Sequence, residues 1–354
     1  MSGTGRWLIY GAYGYTGELI TGMAAEQGMQ PILAGRREEA LRRLGDRHGF
    51  EIVPVSLDDP AGLRALLERV DVVAHCAGPF KFTSRPMVEA CLATGTHYLD
   101  ITGEIEIFEA CARDGDRARE AGVMLLPGVG FDVVPTDCLA ARLHARMPQA
   151  VALTLAIYGS GGGLSHGTAS TVVANLDQPG AIRQAGKIVE VPRAHALRDV
   201  DFGTGPRRSV AIPWGDVSTA FYSTGIPDIA TFAALPKKLI RNMQRDGALT
   251  RWVMALGLTR KLAQAWVDRN LRGPTDAQRE AGQSRCWGEV EDAQGNTLVS
   301  RLLGPEGYTL TAMTTLAAVR RVLDGQARAG FQTPSLAFGA DFVLDAPGVS
   351  FEDL

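Results

Sequence analysis

Arg6-Trp7-Leu8-Ile9-Tyr10-Gly11-Ala12-Tyr13-Gly14-Tyr15-Thr16-Gly17 is followed, after one helical stretch, by Ile32-Leu33-Ala34-Gly35-Arg36. Trp7 to Tyr10 read as a short buried strand, and Glu18 to Ala25 as a helix with Leu19, Ile20 and Met23 on one face. Ile32 to Ala34 read as a second strand. A strand, a glycine turn, a helix and a strand at this spacing make a βαβ nucleotide-binding unit. Gly11 would turn the chain sharply off the strand, Gly14 would let the backbone approach a pyrophosphate, and Gly17 would let the helix pack on the sheet. Amides at the helix start, with the positive end of its dipole, would hold the phosphates. Tyr13, Tyr15 and Thr16 complete this loop. The alternative is a glycine-rich turn without a ligand.

The end of the second strand selects the cofactor. NAD sites place Asp or Glu there to accept hydrogen bonds from the ribose. This sequence has Gly35, Arg36 and Arg37 instead. A guanidinium can grip a 2′-phosphate through two parallel hydrogen bonds, so the expected cofactor is NADP(H), with Arg36 as the phosphate ligand. Arg37 is expected only to open the next helix on its solvent side.

A chain of 354 residues suggests two domains. Hydrophobic and charged contents of 45% and 21% are those of a soluble globular protein. Five cysteines form an odd number without a Cys-x-x-Cys pair. That argues against a disulfide framework and a zinc site, so no metal is expected, and a cytoplasmic location is. The first strand begins too near the N-terminus for a signal peptide, and no apolar run has membrane-spanning length. Charge is uneven: residues 236–273 carry nine Lys and Arg against two Asp, in a chain of net charge −3.

The α/β alternation continues. Helices are expected over 38–47, 60–68, 85–93 and 106–121, with strands over 51–55, 71–76, 97–101 and 123–126. In a doubly wound sheet, strand ends beside the first strand line the cofactor crevice. Asp58 should therefore lie near the adenine, and Cys76, Ala77, Gly78 and Pro79 near the ribose and nicotinamide.

Tyr10 to Gly17, Ala34-Gly35-Arg36, Cys76-Ala77-Gly78-Pro79-Phe80, His97-Tyr98-Leu99-Asp100-Ile101-Thr102-Gly103-Glu104 and Pro127-Gly128-Val129-Gly130-Phe131-Asp132-Val133-Val134-Pro135-Thr136-Asp137 occur in this order. As an ordered set they resemble the saccharopine dehydrogenase-like oxidoreductases, including the mycobacterial trans-acting enoyl reductases. The resemblance is dense over 6–140 and returns weakly near Gln332-Thr333-Pro334 and Phe338-Gly339. It implies a nucleotide-binding oxidoreductase, a C-terminus that returns to the first domain, and dimerisation through the second domain's sheet. Family members differ widely in substrate.

Strand-like runs at 151–158, 187–191, 209–214 and 229–235 follow, with a helix expected over 168–176 and a hairpin turning at Ala293-Gln294-Gly295-Asn296. The expected fold is α/β: a Rossmann-type doubly wound parallel sheet over 1–134, then an α+β domain with a mostly antiparallel sheet over 135–308. Residues 309–354 would form a helix and tail belonging to the first domain.

Hydride transfer asks the protein to position the cofactor and to supply a proton donor. Candidates near the nicotinamide end are Lys81, Tyr98, Asp100, Thr102, Glu104 and Asp132, with Asp100, Glu104 and Lys81 foremost. Burial would raise a carboxyl's pKa toward a useful value. The plainer reading of Asp100 is a cap on the next turn, and of Lys81 a solvated loop residue. His75 and His97 read as core histidines. Gly163-Leu164-Ser165-His166-Gly167 matches a hydrolase nucleophile elbow. Its distance from the preceding strand argues against that role, and only His195 and Asp177 could complete a triad; a place in a substrate cleft fits Ser165 and His166 better. The 236–273 stretch reads as amphipathic helices with Leu239, Ile240, Met243, Leu249, Trp252, Val253, Leu256, Leu262 and Trp266 inward. Its cationic faces would be solvated, or suit an acidic acyl-carrier protein, an anionic membrane surface or a phosphate-bearing thioester. Nucleic acid is not an expected partner of a slightly acidic chain without a recognised binding motif.

The motif reading gives an NADP-dependent oxidoreductase, and the resemblance implies reduction of an activated C=C or C=N bond. The cationic helices favour the C=C bond of an acyl thioester, lying between the two domains. The alternatives are an imine-reducing saccharopine-type dehydrogenase and a catalytically inactive nucleotide-binding or lipid-surface protein.

Overall fold

The computed structural model describes residues 5–160, 163, 165–175, 178–244 and 257–354. The chain forms two compact units, Met1–Val134 with Tyr308–Pro347, and Pro135–Gly307 with Gly348–Leu354.

The first unit alternates β1 (Trp7–Tyr10), α1 (Tyr15–Glu26), β2 (Ile32–Gly35), α2 (Glu38–His48), β3 (Ile52–Pro54), α3 (Pro60–Leu67), β4 (Val72–His75), α4 (Phe80–Thr94), β5 (His97–Asp100), α5 (Ile105–Arg113), α6 (Gly115–Glu120) and β6 (Met124–Leu126). Strands β1, β2 and β4 are buried along their whole length, the uniform apolar pattern of a parallel sheet covered on both faces. The sheet runs β6-β5-β4-β1-β2-β3, all parallel, with a two-residue strand, Gly330–Phe331, paired in parallel outside β6. Strand order reverses at β1, so the turn after β1 is the topological switch point where such sheets bind ligands. Helix boundaries follow local chemistry: Asp59 caps α3 by accepting from Gly62 N with Pro60 in the first turn, and Gly49 ends α2 in the left-handed conformation.

The single helix expected over 106–121 is two. The chain breaks at Asp114, whose φ of −85° and ψ of 3° leave the helical region. Gly115 restarts the helix beside Phe331 of the edge strand.

In the second unit, Ala150–Ser160 is the central strand. It pairs in parallel with Asp228–Ala234 and antiparallel with Gln283–Asp292, whose hairpin partner is Thr297–Pro305. Pro206–Ala211 and Leu197–Asp201 extend the other side antiparallel, and a hairpin of Gly180–Gln184 and Lys187–Val191 branches from Asp228–Ala234. The sheet is mixed and mostly antiparallel. Its hairpin turn lies at 293–296, where the Asp292 carboxylate accepts from the Gln294 and Asn296 amides. Leu197–Asp201 and Gly180–Gln184 were not legible as strands: the first buries only Val200, and the second buries Gly180 and Arg183, neither of them an apolar side chain.

Two expectations need correction. The tail does not belong wholly to the first unit: Ser350–Asp353 pairs antiparallel with the Thr297–Pro305 strand of the second. In the basic stretch, Ile240 is buried, but Leu239 and Trp266 are 45% and 58% exposed. The apolar face there is narrower than the sequence suggests. Leu249, Trp252, Val253 and Leu256 lie outside the described residues, as does the structural setting of the Leu262 side chain. No described helix is long and apolar enough to cross a membrane.

Candidate active site

The turn after β1 is shaped by its glycines. Gly11 has φ +82°, and a Cβ there would stand 2.9 Å from the Ala77 amide nitrogen, so the turn lies directly against the loop after β4. A Cβ on Gly17 would stand 2.4 Å from Gly11 O, which fixes how closely α1 packs on the turn. Gly14 is the N-cap of α1, in extended conformation, and no side chain caps that helix start. An uncapped helix start with a glycine beside it fits a bound pyrophosphate. These residues suit a dinucleotide.

At the end of β2 the Arg36 side chain is exposed and makes no hydrogen bond or ion pair among the described residues. It is open to a 2′-phosphate. Arg37 does more than open α2: its guanidinium lies 4.3 Å from the centroid of the Tyr13 ring. Tyr13 in turn crosses Gly35, where a Cβ would stand 2.7 Å from Tyr13 Cε1. Tyr15 meets the Tyr308 ring edge-on at 4.9 Å, and Thr16 is half-buried. Asp58 is exposed after β3, its carboxylate accepting from Ser56 Oγ.

The loop after β4 carries Cys76, Ala77, Gly78 and Pro79, of which Gly78 is exposed and the others half-buried. Cys76 Sγ lies 3.8 Å from Ala74 O, and burial pushes its thiol up to about 12, which leaves it unreactive. His75 is fully buried, its ring held neutral by burial with a pKa lowered to about 3, and its Nε2 meets Thr83 Oγ1 at 3.1 Å. His97 Nδ1 accepts from Met124 N. His75 is a core residue, whereas His97 is half-buried at the start of β5.

Asp100 is fully buried, and its carboxylate accepts from Tyr98 Oη at 2.6 Å and from the amides of Thr102 and Gly128 at 2.9 Å each. Burial outweighs these donors and lifts its pKa to about 6. With no exposed surface, it braces the end of β5 against the loop after β6 and is closed to substrate. The geometry therefore supports the capping reading of Asp100 over the catalytic one.

Glu104 accepts from the Phe80 and Lys81 amides at 2.8 and 3.1 Å, so it caps the first turn of α4 from a neighbouring loop. Burial raises its pKa, against the pull of those amides and of the Lys81 charge. The Lys81 ammonium stands 5.3 Å from the centroid of the exposed Phe82 ring.

Asp132, in the loop after β6, makes no hydrogen bond or ion pair among the described residues. A Cβ on Gly103 would stand 2.8 Å from Asp132 Oδ2, so the glycine lets this carboxyl lie against the Thr102–Glu104 loop. Burial, and then the Glu104 charge, push its pKa up to about 6. The loop is held from behind, with Phe131 N donating to Thr311 Oγ1 and Thr314 Oγ1 donating to Val129 O. A half-buried carboxyl without a partner, on a braced loop, is the group here that is free to exchange a proton. Sequence reading placed Asp132 among the candidates but behind Asp100. Only three-dimensional pairing separates the two carboxyls.

Ser165 is 3% exposed and caps the helix His166–Ala174, accepting from Thr168 N at 3.1 Å. A capping role explains the serine in the Gly-x-Ser-x-Gly pattern without a nucleophile. His166 and His195 are exposed, and Asp177 is outside the described residues.

Comparison with known proteins agrees with this geometry. Residues 7–126 match the family model "Saccharopine dehydrogenase NADP binding domain". The saccharopine dehydrogenase-like oxidoreductase of Bos taurus is 29% identical over 150 residues, 37% of this chain and 35% of that protein. The trans-acting enoyl reductase of Mycobacterium leprae is 32% identical over 151 residues, 40% of this chain and 35% of the relative. The chain thus spans about a third of the length of these curated relatives. Among solved structures, the apo saccharopine dehydrogenase (L-Glu forming) of Saccharomyces cerevisiae superposes with a TM-score of 0.66 over 99% of this chain and all of that one, at 12% identity, a likeness of fold. Over residues 7–126 the chain is thus similar to saccharopine dehydrogenase NADP binding domains.

Proposed function

We propose that this chain is an NADPH-dependent oxidoreductase that reduces the activated C=C bond of an enoyl thioester, with Asp132 as proton donor. The observation that carries the reading is the unpartnered, pKa-raised Asp132 carboxyl in the loop after β6, in the same unit as an uncapped glycine-rich helix start and a free Arg36. The name of the Mycobacterium leprae relative supports the choice of an enoyl substrate.

Bound NADPH would supply the hydride. The chain's part is to hold the cofactor by the α1 amides and Arg36 and to deliver one proton. Hydride addition at the β-carbon leaves negative charge on the α-carbon and the thioester oxygen, and protonation of the α-carbon completes the reduction. Asp132 gives that proton as an acid and returns to the acid form from solvent. Glu104, already tied to the α4 amides, keeps the Asp132 pKa high by like-charge repulsion. Lys81 lies in the first turn of α4, where its cation suits the developing oxyanion.

The test is NADPH oxidation with a crotonyl N-acetylcysteamine thioester. The rate should fall about tenfold per pH unit above an apparent pKa near 6, because only protonated Asp132 donates. Asp132→Asn should lower kcat by about 100-fold or more and remove that limb, with NADPH affinity unchanged. NADPH binding without turnover on enoyl thioesters would overturn the reading, and so would turnover confined to imines.

A further inference from the structure

The second unit holds a charged groove unrelated to the glycine motif. It has a volume of about 440 Å³ and is lined by Asp199, Pro206, Arg208, Lys237, Ile240 and Arg241, with Gln244 at its end. The outer strands Leu197–Asp201 and Pro206–Ala211 form one wall and the helix Lys237–Gln244 the other. Ile240 is 4% exposed and packs with Val210 and Ala194, which anchors the helix to the strand. Lys237, Arg241 and Gln244, spaced by four and three residues, then share the helix side that faces the groove.

This arrangement is locally unfavourable. Lys237 and Lys238 occupy the first helical turn, at the positive end of the dipole, and the helix contains no acidic residue. Lys237 and Arg241 are like charges one turn apart, and neither makes a hydrogen bond or ion pair among the described residues. Arg208 is oriented by Asp199, Nε to Oδ1 at 2.7 Å, which leaves the rest of its planar fork free. Three exposed cations thus converge on a volume of small-molecule size with one buried apolar residue in its lining.

We propose that this groove binds a phosphate ester carrying two or more phosphate groups, through Lys237, Arg241 and Arg208. A polyanion removes the repulsion between the cations and complements the helix dipole, which accounts for charges that fold stability alone disfavours. The identification of the ester with the handle of an acyl thioester rests on the function proposed above. The binding site itself does not.

The experiment is calorimetric titration of the full chain, saturated with NADPH so that the nucleotide site is filled, using coenzyme A and then inorganic pyrophosphate. Coenzyme A should bind, pyrophosphate should compete, and affinity should fall with added salt. The double variant Lys237→Gln, Arg241→Gln should weaken coenzyme A at least tenfold, with NADPH affinity unchanged and a melting temperature equal to the parent's or higher, since the repulsion is gone. Lys187→Gln, on a strand outside the groove, should bind like the parent. Equal affinity in the double variant, no heat with either probe, or preference for phosphatidylglycerol vesicles over coenzyme A would overturn the proposal. A chain that reduces the N-acetylcysteamine thioester, which has no phosphate, yet ignores coenzyme A keeps its enzymatic reading and loses this one.

Discussion

Arg36 and Arg37 are neighbours with different fates, decided by Tyr13. The Tyr13 ring covers Gly35 and carries the Arg37 guanidinium on its face, so Arg37 is held, while Arg36, likewise exposed, makes no hydrogen bond or ion pair among the described residues. A charge-assisted bidentate contact is worth about 1.5–3 kcal/mol, or roughly 10- to 100-fold in affinity. Arg36→Ala should weaken NADPH by about that factor in a fluorescence titration and leave NADH, which lacks the 2′-phosphate, unchanged. Equal loss for both nucleotides would place Arg36 in the fold of the loop instead. The glycines and Arg36 were legible in the sequence because their roles depend on neighbours within one βαβ unit. The Tyr13–Arg37 stack was not, since it depends on where a ring lands across the turn. The same limit separates Asp100 from Asp132. Asp100 closes β5 and Asp132 lies in the loop after β6, and it is the donors on Asp100, Tyr98 Oη and the Thr102 and Gly128 amides, that mark it as a brace.

Elements show the same division between local and distant signals. The buried strands of the first sheet and the long hairpin of the second declare themselves by apolar runs and alternation. Ser350–Asp353 declares nothing, because a four-residue edge strand with one half-buried side chain has no pattern to read. It is fixed by Asp353. Arg142 Nε and Nη2 donate to its two oxygens at 3.2 and 2.7 Å, Arg146 Nη1 and Ser300 Oγ donate at 2.9 and 2.7 Å, and Phe351 stacks under Arg142. The hydrogen bond from Arg142, with that from Ser300 and the nearby positive charges, lowers the Asp353 pKa from 3.8 to about 2. A depressed carboxylate stabilises the fold above its unfolded pKa and ceases to do so as pH falls through the folded one. Asp353→Ala should therefore cost about 1 kcal/mol near neutral pH, solvent screening at this exposed site keeping the value small. The gap between parent and variant in urea melts should close as pH falls from about 4 toward 2. A gap independent of pH would assign the loss to packing.

At the scale of the molecule, each unit is completed by chain from beyond its own continuous stretch. The helix Gly307–Arg321 buries Leu310, Leu316 and Val319 in the first unit, and its Thr311 and Thr314 hold the loop that carries Asp132. A helix near the C-terminus thus supports a site assembled at the N-terminal motif, a dependence that no local reading reveals. Each buried Leu or Val contributes about 1.5–3 kcal/mol, against a total domain stability of about 5–15 kcal/mol. A chain ending at Gly307 should therefore lose cooperative unfolding of its first unit and NADPH binding with it. A chain ending at Pro347 keeps that helix and the Gly330–Phe331 strand, and loses only the edge strand Ser350–Asp353. It should bind NADPH with unchanged affinity and melt at a lower temperature. Circular dichroism melts with and without NADPH separate the two variants. Nucleotide binding by the shorter one would mean that the Rossmann unit is complete by Val134 and that its C-terminal helix is an accessory.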